Sequence, residues 1–589
     1  MTGSPGSDSP IRPAGSGSPA TDFAVAFLLE LARAGVTDVV VSPGSRSQAL
    51  ALAAAAVERA GALRVHVRLD ERTAAFFALG LAVETQRPAA VVTTSGTAVA
   101  NLHPAVLEAH HSGVPMIVVS ADRPDELRGI GSNQTTHQPG VFGAATRFVR
   151  DVEAPTTHGV DDSTRATLRA LVRQAVAAAA GHDGPPGPVQ VNLAFREPLS
   201  AAVGAVTAPE PHEVDADFAT RRTGPAPERD HDLVVDADPA TVVVAGHDAG
   251  ADAERIAWEL GASLLAEVSS GAHFGRNLVV AYRQLLRDPA FGGRVRRAVV
   301  LGHPTLSREV PALLQRADVE VVVVRGAAAE AYDPGSAARP PHPAVVVPGI
   351  RVDGRPGPEH RAWVGTWVGA SRALLGDGDT APDLDAKRSA DRAERAQFFR
   401  DELAVRRRPV DRAMLVDAVW GATWPHDRLV FGASLLIRVA DGRVPGKKVR
   451  VHANRGLAGI DGTISTALGI AAGVEASGAT GGTTRVLVGD LTFLHDLGGL
   501  VTGVEERRQR LQIVVGNDGG GAIFGGLEVA ATTDPADMRR MMATPQVVEI
   551  EPVVRGLGWE YRRAATWAEL EQVLTDPADR LVIEVPLQV

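Results

Sequence analysis

Short runs of β-branched residues recur along this chain, and most are followed by a polar loop and then an alanine- and leucine-rich stretch. The first series is DVVVS at 38–42, RVHVR at 64–68, AAVVTT at 89–94, MIVVS at 116–120 and VQVNLAF at 189–195. A strand that is apolar on both faces must be covered on both, and the helical stretches supply both the covers and the crossovers of parallel pairing. The pattern restricts the fold class to α/β, with largely parallel sheets covered by helices. It returns from TVVVAG at 241 through RAVVLG and VEVVVV to AVVVPG at 344–349, and again in RLVFGAS, KVRVHA, TRVLVGD, LQIVVGN and LVIEVPL after residue 400. Three consecutive α/β domains follow, since 589 residues are too many for one core. The expected organisation is a flexible tail over 1–19, an α/β domain over 20–200 and a linker over 201–236. A middle α/β scaffold domain over 237–370, a connecting segment over 371–399 and a third α/β domain over 400–589 complete it.

Composition removes several function classes. The absence of cysteine excludes disulfides, thiolate metal sites and thiol nucleophiles. A net charge of −10 makes nonspecific nucleic-acid binding a poor expectation. No apolar run approaches the length of a membrane span, and the first nineteen residues lack the basic start and apolar stretch of an export signal. A cytoplasmic protein is expected.

Loops after the carboxyl ends of parallel strands form the ligand crevice of such sheets. The segment SPGSRS follows the first strand and places a turn, the Ser45 hydroxyl and the Arg46 guanidinium there. TTSGTA at 93–98 and SADRP at 120–124, with Arg123, occupy equivalent places. These polar strand ends suit a small anionic substrate. The competing reading makes the glycines turns and the arginines surface charges.

The strongest constellation lies near the other end. VLVGDLTFLHDLGGL places Asp490 at the end of one strand, and LQIVVGNDGGGAIF places Asn517 at the end of the next, with a polar-faced helix expected over 500–510 between them. One carboxylate and one amide oxygen side by side suit a hard octahedral cation whose other ligands are phosphate oxygens and water. Gly519 and Gly520 allow close backbone approach, and a carbonyl here can complete the shell. The usual nucleotide fingerprints are missing: PGKKVR at 445–450 lacks P-loop spacing, and no strand leads into G-x-G-x-x-G. A diphosphate cofactor held through a cation fits better.

The Asp490 to Asn517 segment resembles the diphosphate and metal motif of thiamine diphosphate-dependent enzymes. Within that superfamily the chain is similar to the menaquinone-pathway synthases that join 2-oxoglutarate to isochorismate. The resemblance rests on SPGSRS, LDERTAAFFALGLA, TSGTAVANLHPAVLEA, SADRP, GSNQTTHQPGVF, FGASLLIR, HANRGLAGIDGTISTALGIA and VGDLTFLHDLGGL. Gly489, Asp490 and Leu491 stand where most of the superfamily has Gly-Asp-Gly; a Gly-Asp-Leu form is expected of these synthases.

The resemblance implies the roles. The first domain would bind the cofactor's pyrimidine, and the third its diphosphate with Mg2+, or Mn2+, through Asp490, Asn517 and Gly519. Glu71, which could otherwise be a simple helix-start carboxylate, would hydrogen-bond the aminopyrimidine and promote the tautomer that generates the reactive carbanion. Ile460 would support the bent cofactor. Arg123, Arg438 and Arg455 would bind the anionic substrates, with Arg438 and Arg455 also catalytic. Ser45, Arg46, Gln134 and Ser434 would add polar contacts, and Arg308 would reach in from the middle domain. A structural salt bridge from Arg455 to Asp461 is the plain alternative for that arginine. A homo-oligomer is implied, at least a dimer and expected as a tetramer, with sites shared between chains. An acetolactate-synthase-like or decarboxylase activity, and a noncatalytic scaffold, are the rival classes.

Overall fold

A computed structural model describes residues 16–156, 159–219, 232–336, 343–376, 384–478 and 482–588. Most of the expected tail, residues 220–231 of the expected linker and 377–383 of the connecting segment lie outside these. The described strands form three parallel sheets and one parallel two-stranded ribbon.

The first sheet contains β1 (Asp38–Val41), β2 (Arg64–Val67), β3 (Ala89–Thr93), β4 (Met116–Asp122), β5 (Val149–Val152) and β6 (Pro188–Ala194), in the order β2-β1-β3-β4-β6-β5. β7 (Leu233–Asp236) pairs with β13 (Ile350–Asp353), so the end of the expected linker is a strand. β8 (Thr241–Ala245), β9 (Ser263–Ala266), β10 (Arg297–Leu301), β11 (Glu320–Val324) and β12 (Val345–Val347) make the middle sheet, in the order β12-β11-β10-β8-β9. The third sheet contains β14 (Arg428–Phe431), β15 (Arg450–Ala453), β16 (Thr484–Gly489), β17 (Leu511–Asn517), β18 (Glu560–Arg563) and β19 (Arg580–Pro586), in the order β15-β14-β16-β17-β19-β18. Counted within each sheet, the first and third have the same strand order: second, first, third, fourth, sixth, fifth.

The central strands are the continuous apolar runs, buried along their length up to the half-buried Asn517 at the end of β17. Helices cover both faces, as strands without a polar face require. One expectation fails. Residues 501–510 form an irregular segment, not a helix, although EERRQR has good helix formers. Glu506 accepts from the Val67 N–H (2.9 Å) and Gln509 from the Arg68 guanidinium (3.3 Å), so contacts with the end of β2 override local propensity.

The outer domains meet through two helices, Glu71–Thr85 and Thr463–Ala476, both almost wholly buried. Their backbones approach so closely that a Cβ on Gly80 would lie 2.0 Å from the Thr466 carbonyl oxygen. At the end of the first helix Glu84 receives Arg428 (2.7 Å) and Arg450 (3.1 Å) from the third domain. Burial alone would raise the Glu84 carboxyl, but His452 and Arg428 outweigh it and hold it at about 2, below its ordinary 4.5. Because the folded value is depressed, this contribution is complete above about pH 4.5 and is lost as pH falls through about 2. Glu84→Gln should therefore lower stability at neutral pH by up to about 3 kcal/mol. The gap in Tm between the two proteins should close across that acid window; a gap independent of pH would refute the linkage.

Candidate active site

The candidate residues lie where the first four strands of each outer sheet end. In the first sheet, β1 leads to Ser45 and Arg46. Ser45 is exposed, while the Arg46 backbone N–H donates to Thr94 Oγ1 (3.3 Å) and its guanidinium to the Phe195 carbonyl (3.0 Å). β4 leads to Arg123, a largely buried side chain that donates to the Gln134 carbonyl (2.6 Å) and to Ser95 Oγ beyond β3. Gln134 has a left-handed backbone (φ 53°) and returns an amide hydrogen bond to the Ser95 carbonyl (3.0 Å). Burial, and then the nearby Arg46 charge, hold the Arg123 guanidinium below its usual pKa. The structure thus gathers Arg46, Arg123 and Gln134, and adds Ser95, which the sequence reading did not single out. Beyond β2, Glu71 begins its helix half-buried, and Asp70 caps that helix through the Arg72 N–H (2.8 Å).

The third sheet repeats the arrangement. β14 leads to Ser434, whose Oγ caps the Leu435–Asp441 helix through the Leu436 N–H (3.2 Å). Arg438, one turn on, donates to the Ser434 carbonyl (3.0 Å). β15 leads to Arg455, which is 2 % exposed. It forms no bridge to Asp461. Instead its guanidinium donates to Thr305 Oγ1 (2.8 Å) and the Thr305 carbonyl (3.3 Å) of the middle domain, leaving Nη1 buried without a partner. From the first domain, the Glu108 carboxylate accepts from the N–H groups of Gly456 (2.7 Å) and Leu457 (2.8 Å). Arg455 therefore sits where three domains meet. Ile460 is half-buried at the end of this loop, beside a cavity of about 370 Å3 lined by Phe76, His103, Leu107 and Leu457.

β16 and β17 run side by side with Gly489 opposite Gly516, so Asp490 and Asn517 follow at matching positions. Asp490 is buried and opens the Asp490–His495 helix. Burial pushes its carboxyl up from 3.8 to about 6. Asn517 donates its amide to Glu584 (2.7 Å), which also accepts from the Tyr561 hydroxyl (2.6 Å). That orientation turns Asn517 Oδ1 toward the following turn, where it accepts from the Gly519 N–H (3.1 Å). The turn needs glycine: Gly519 and Gly520 have φ of 76° and 137°, and a Cβ on Gly520 would lie 2.4 Å from the Ala543 carbonyl. Asp518, next to Asn517, pairs with Arg412 (2.9 Å), and its charge adds to the upward push on Asp490.

Among the described residues no three His, Cys, Asp or Glu side chains gather as a metal site. One carboxylate, one oriented amide oxygen and an accessible backbone turn are what this end of the sheet offers. Such oxygens suit a magnesium-like ion whose other ligands come from a diphosphate and water. A cation would also stabilise the ionised form of the buried Asp490.

Arg308 is apart from these groups. It is exposed on the middle domain and pairs with Glu528 of the third (2.7 Å). Glu108, Thr305 and Glu584 were not found from sequence because each acts through a partner far along the chain.

A family model for the thiamine pyrophosphate enzyme N-terminal TPP-binding domain matches residues 21–142. The fold resembles that of benzoylformate decarboxylase from Polynucleobacter necessarius, with a TM-score of 0.62 at 14% identity, covering 97% of this chain and 98% of that one. The 2-succinyl-5-enolpyruvyl-6-hydroxy-3-cyclohexene-1-carboxylate synthase of Leifsonia xyli is 55% identical over 97% of both chains. The synthase of the same name from Clavibacter michiganensis is 54% identical over the same shares. With such identity across nearly the whole length of both chains, the protein belongs to the 2-succinyl-5-enolpyruvyl-6-hydroxy-3-cyclohexene-1-carboxylate synthase family of thiamine diphosphate-dependent enzymes.

Proposed function

We propose that this enzyme decarboxylates 2-oxoglutarate and adds the remaining four-carbon unit to isochorismate, in menaquinone biosynthesis. The observation that carries the reading is the near-full-length identity to synthases of that name. The side chains at the strand ends are chemically suited to it.

Asp490, Asn517 Oδ1 and a carbonyl at Gly519 would hold magnesium, or manganese, and through it the cofactor's diphosphate. Thiamine diphosphate, when bound, supplies the nucleophilic carbon and electron sink that decarboxylation of a 2-oxo acid demands. Glu71 is assigned the hydrogen bond to the aminopyrimidine, holding the proton that selects its reactive tautomer. Ile460 gives the cofactor an apolar support. Arg438 and Arg455 are assigned to substrate carboxylates, where guanidinium groups bind in bidentate fashion. Arg46, Arg123 and Gln134 form a second polar cluster for the other anionic groups, with hydroxyls from Ser45 and Ser434. Arg308 would have to exchange Glu528 for substrate to take part.

A shared site in a homodimer, and a tetramer built from dimers, is part of the same proposal. Within one chain Arg72, beside Glu71, donates to the His495 carbonyl (3.0 Å). Asp490 opens that same short helix. In the proposed dimer the Glu71 and Asp490 that face one cofactor come from different chains. No helix among the described residues is long and apolar enough to cross a membrane; a cytoplasmic location is proposed because both proposed substrates are small anionic metabolites.

The test is product analysis. Purified protein with thiamine diphosphate and magnesium should consume 2-oxoglutarate and isochorismate together, releasing carbon dioxide and the succinylated cyclohexene carboxylate, with pyruvate a poor donor. Acetolactate from pyruvate, without the coupled product, would replace this reading with an acetolactate-synthase-like one.

A further inference from the structure

A buried carboxyl group lies between the middle and third domains and has no role in the account above. Glu267 follows β9 and is 1 % exposed. Its Oε1 accepts from the backbone N–H groups of Thr305 and Leu306 (2.6 Å each), whereas Oε2 is buried with no hydrogen-bond partner. Thr305 is the residue on which Arg455 rests.

The charged and titratable groups around Glu267 come from several elements. Asp441 and Arg438 come from the Leu435–Asp441 helix and Arg455 from the loop after β15; Tyr282 and Tyr332 come from the middle domain. Asp441 is already matched: it accepts from the Val268 N–H (2.9 Å) and the Tyr282 hydroxyl (2.7 Å) and pairs with Arg283. Arg438 and Arg455 bond only to uncharged oxygens. An ionised Glu267 would be their counter-charge, and its Oε2 would be an unsolvated anionic oxygen. Burial and the adjacent Asp441 push the Glu267 carboxyl up to about 8.

We propose that Glu267 is a positioning residue that stays uncharged in the working enzyme, leaving Arg438 and Arg455 as two unneutralised cations for a dicarboxylate while its Oε1 fixes the Thr305 turn beneath Arg455. With Asp441 matched to Arg283, a neutral Glu267 leaves the cluster two positive charges for a dianion. Ionisation removes one of them. The identity of the dicarboxylate rests on the function proposed above; the charge state of Glu267 does not.

Two variants and two readouts test this on the full chain with thiamine diphosphate and magnesium. In the parent, KM for 2-oxoglutarate should rise roughly tenfold per pH unit above about pH 8, with a smaller change in kcat. Neither Glu267→Gln nor Glu267→Ala can ionise, so both should lose that alkaline rise, and either variant alone decides the point. Glu267→Ala also loses the acceptor for the Thr305 turn and should raise KM at neutral pH by roughly tenfold or more; Glu267→Gln should recover most of that loss.

The second readout needs no substrate. The folded value lies above the unfolded one, so the contribution of Glu267 to stability is full below about pH 4.5 and is lost as pH rises through about 8. The Tm of Glu267→Gln relative to the parent should therefore increase across that range. An alkaline rise in KM that persists in the variants, or a Tm difference that does not change with pH, overturns the proposal. A parent that does not turn over 2-oxoglutarate with isochorismate would overturn the substrate reading instead, and the Tm comparison would still decide the charge state.

Discussion

Asp490→Ala is expected to weaken thiamine diphosphate binding in the presence of magnesium by at least about a hundredfold, since it would remove a proposed direct ligand and changes to groups behind the ligands alone cost about 10- to 100-fold. The side chain is buried, and burial has already pushed its carboxyl up to about 6. A folded value above 3.8 means that stability falls as pH rises through it, so at neutral pH the ionised group burdens the cofactor-free protein. The same substitution should leave the Tm of that form unchanged or higher. Loss of affinity without loss of stability distinguishes a metal ligand from a structural carboxylate, which would lose both. Calorimetry and thermal unfolding on one preparation read the two quantities. Unchanged affinity would remove Asp490 from the metal site, and a large fall in Tm would make its role structural.

Arg455→Ala should lower kcat/KM for the coupled reaction by about 2–5 kcal/mol, the range for truncating one partner of a buried charge pair. Arg455 is 2 % exposed with Nη1 unpartnered, so its cost of burial is met only in part by Thr305. A substrate carboxylate is the partner that would complete it. Arg455→Lys should recover little, because an ammonium cannot bond Thr305 and a carboxylate in the same plane. Cofactor affinity should survive both changes, since Asp490 and Asn517 lie at the ends of other strands. Kinetics close to the parent's would return Arg455 to a structural role between domains. Loss of cofactor binding would instead place it among the diphosphate ligands.

The parts of this architecture visible in sequence are those where a strand is buried on both faces, because a continuous apolar run needs no context to read. β5 and β18 escaped notice. Each is an edge strand, VRDV and EYRR carry charges, and an edge needs an apolar face on one side only. β9 is apolar, but its SLLA run directly follows a helix and reads as that helix's end. The false helix at 501–510 has the converse cause: local composition favoured it, and contacts with Val67 and Arg68, more than four hundred residues earlier, prevailed.

The candidate site divides in the same way. Asp490, Asn517, Arg123 and Arg455 stand at strand ends, so a strand pattern is enough to locate them. Their supports are not visible. Glu108 reaches Gly456 from 348 residues away, and Asp441 reaches Val268 across 173. Neither has a local motif, because its role is defined only by what the completed fold brings against it. Arg308 was legible only through family likeness, since it follows no strand-end pattern and lies exposed on the middle domain against Glu528.

The two anchors of the Arg455 loop have a consequence for the order of events during synthesis. Glu108 and Thr305 both precede residue 455 in the chain, and domains generally fold from the N-terminus as they emerge from the ribosome. Both holders are thus available before the arginine is translated. The loop is set only when the third domain docks against the two that came first, so the proposed anion-binding pocket is among the last features of the newborn protein to mature. A polypeptide arrested before this point can possess a finished first sheet and still have no place for a dicarboxylate.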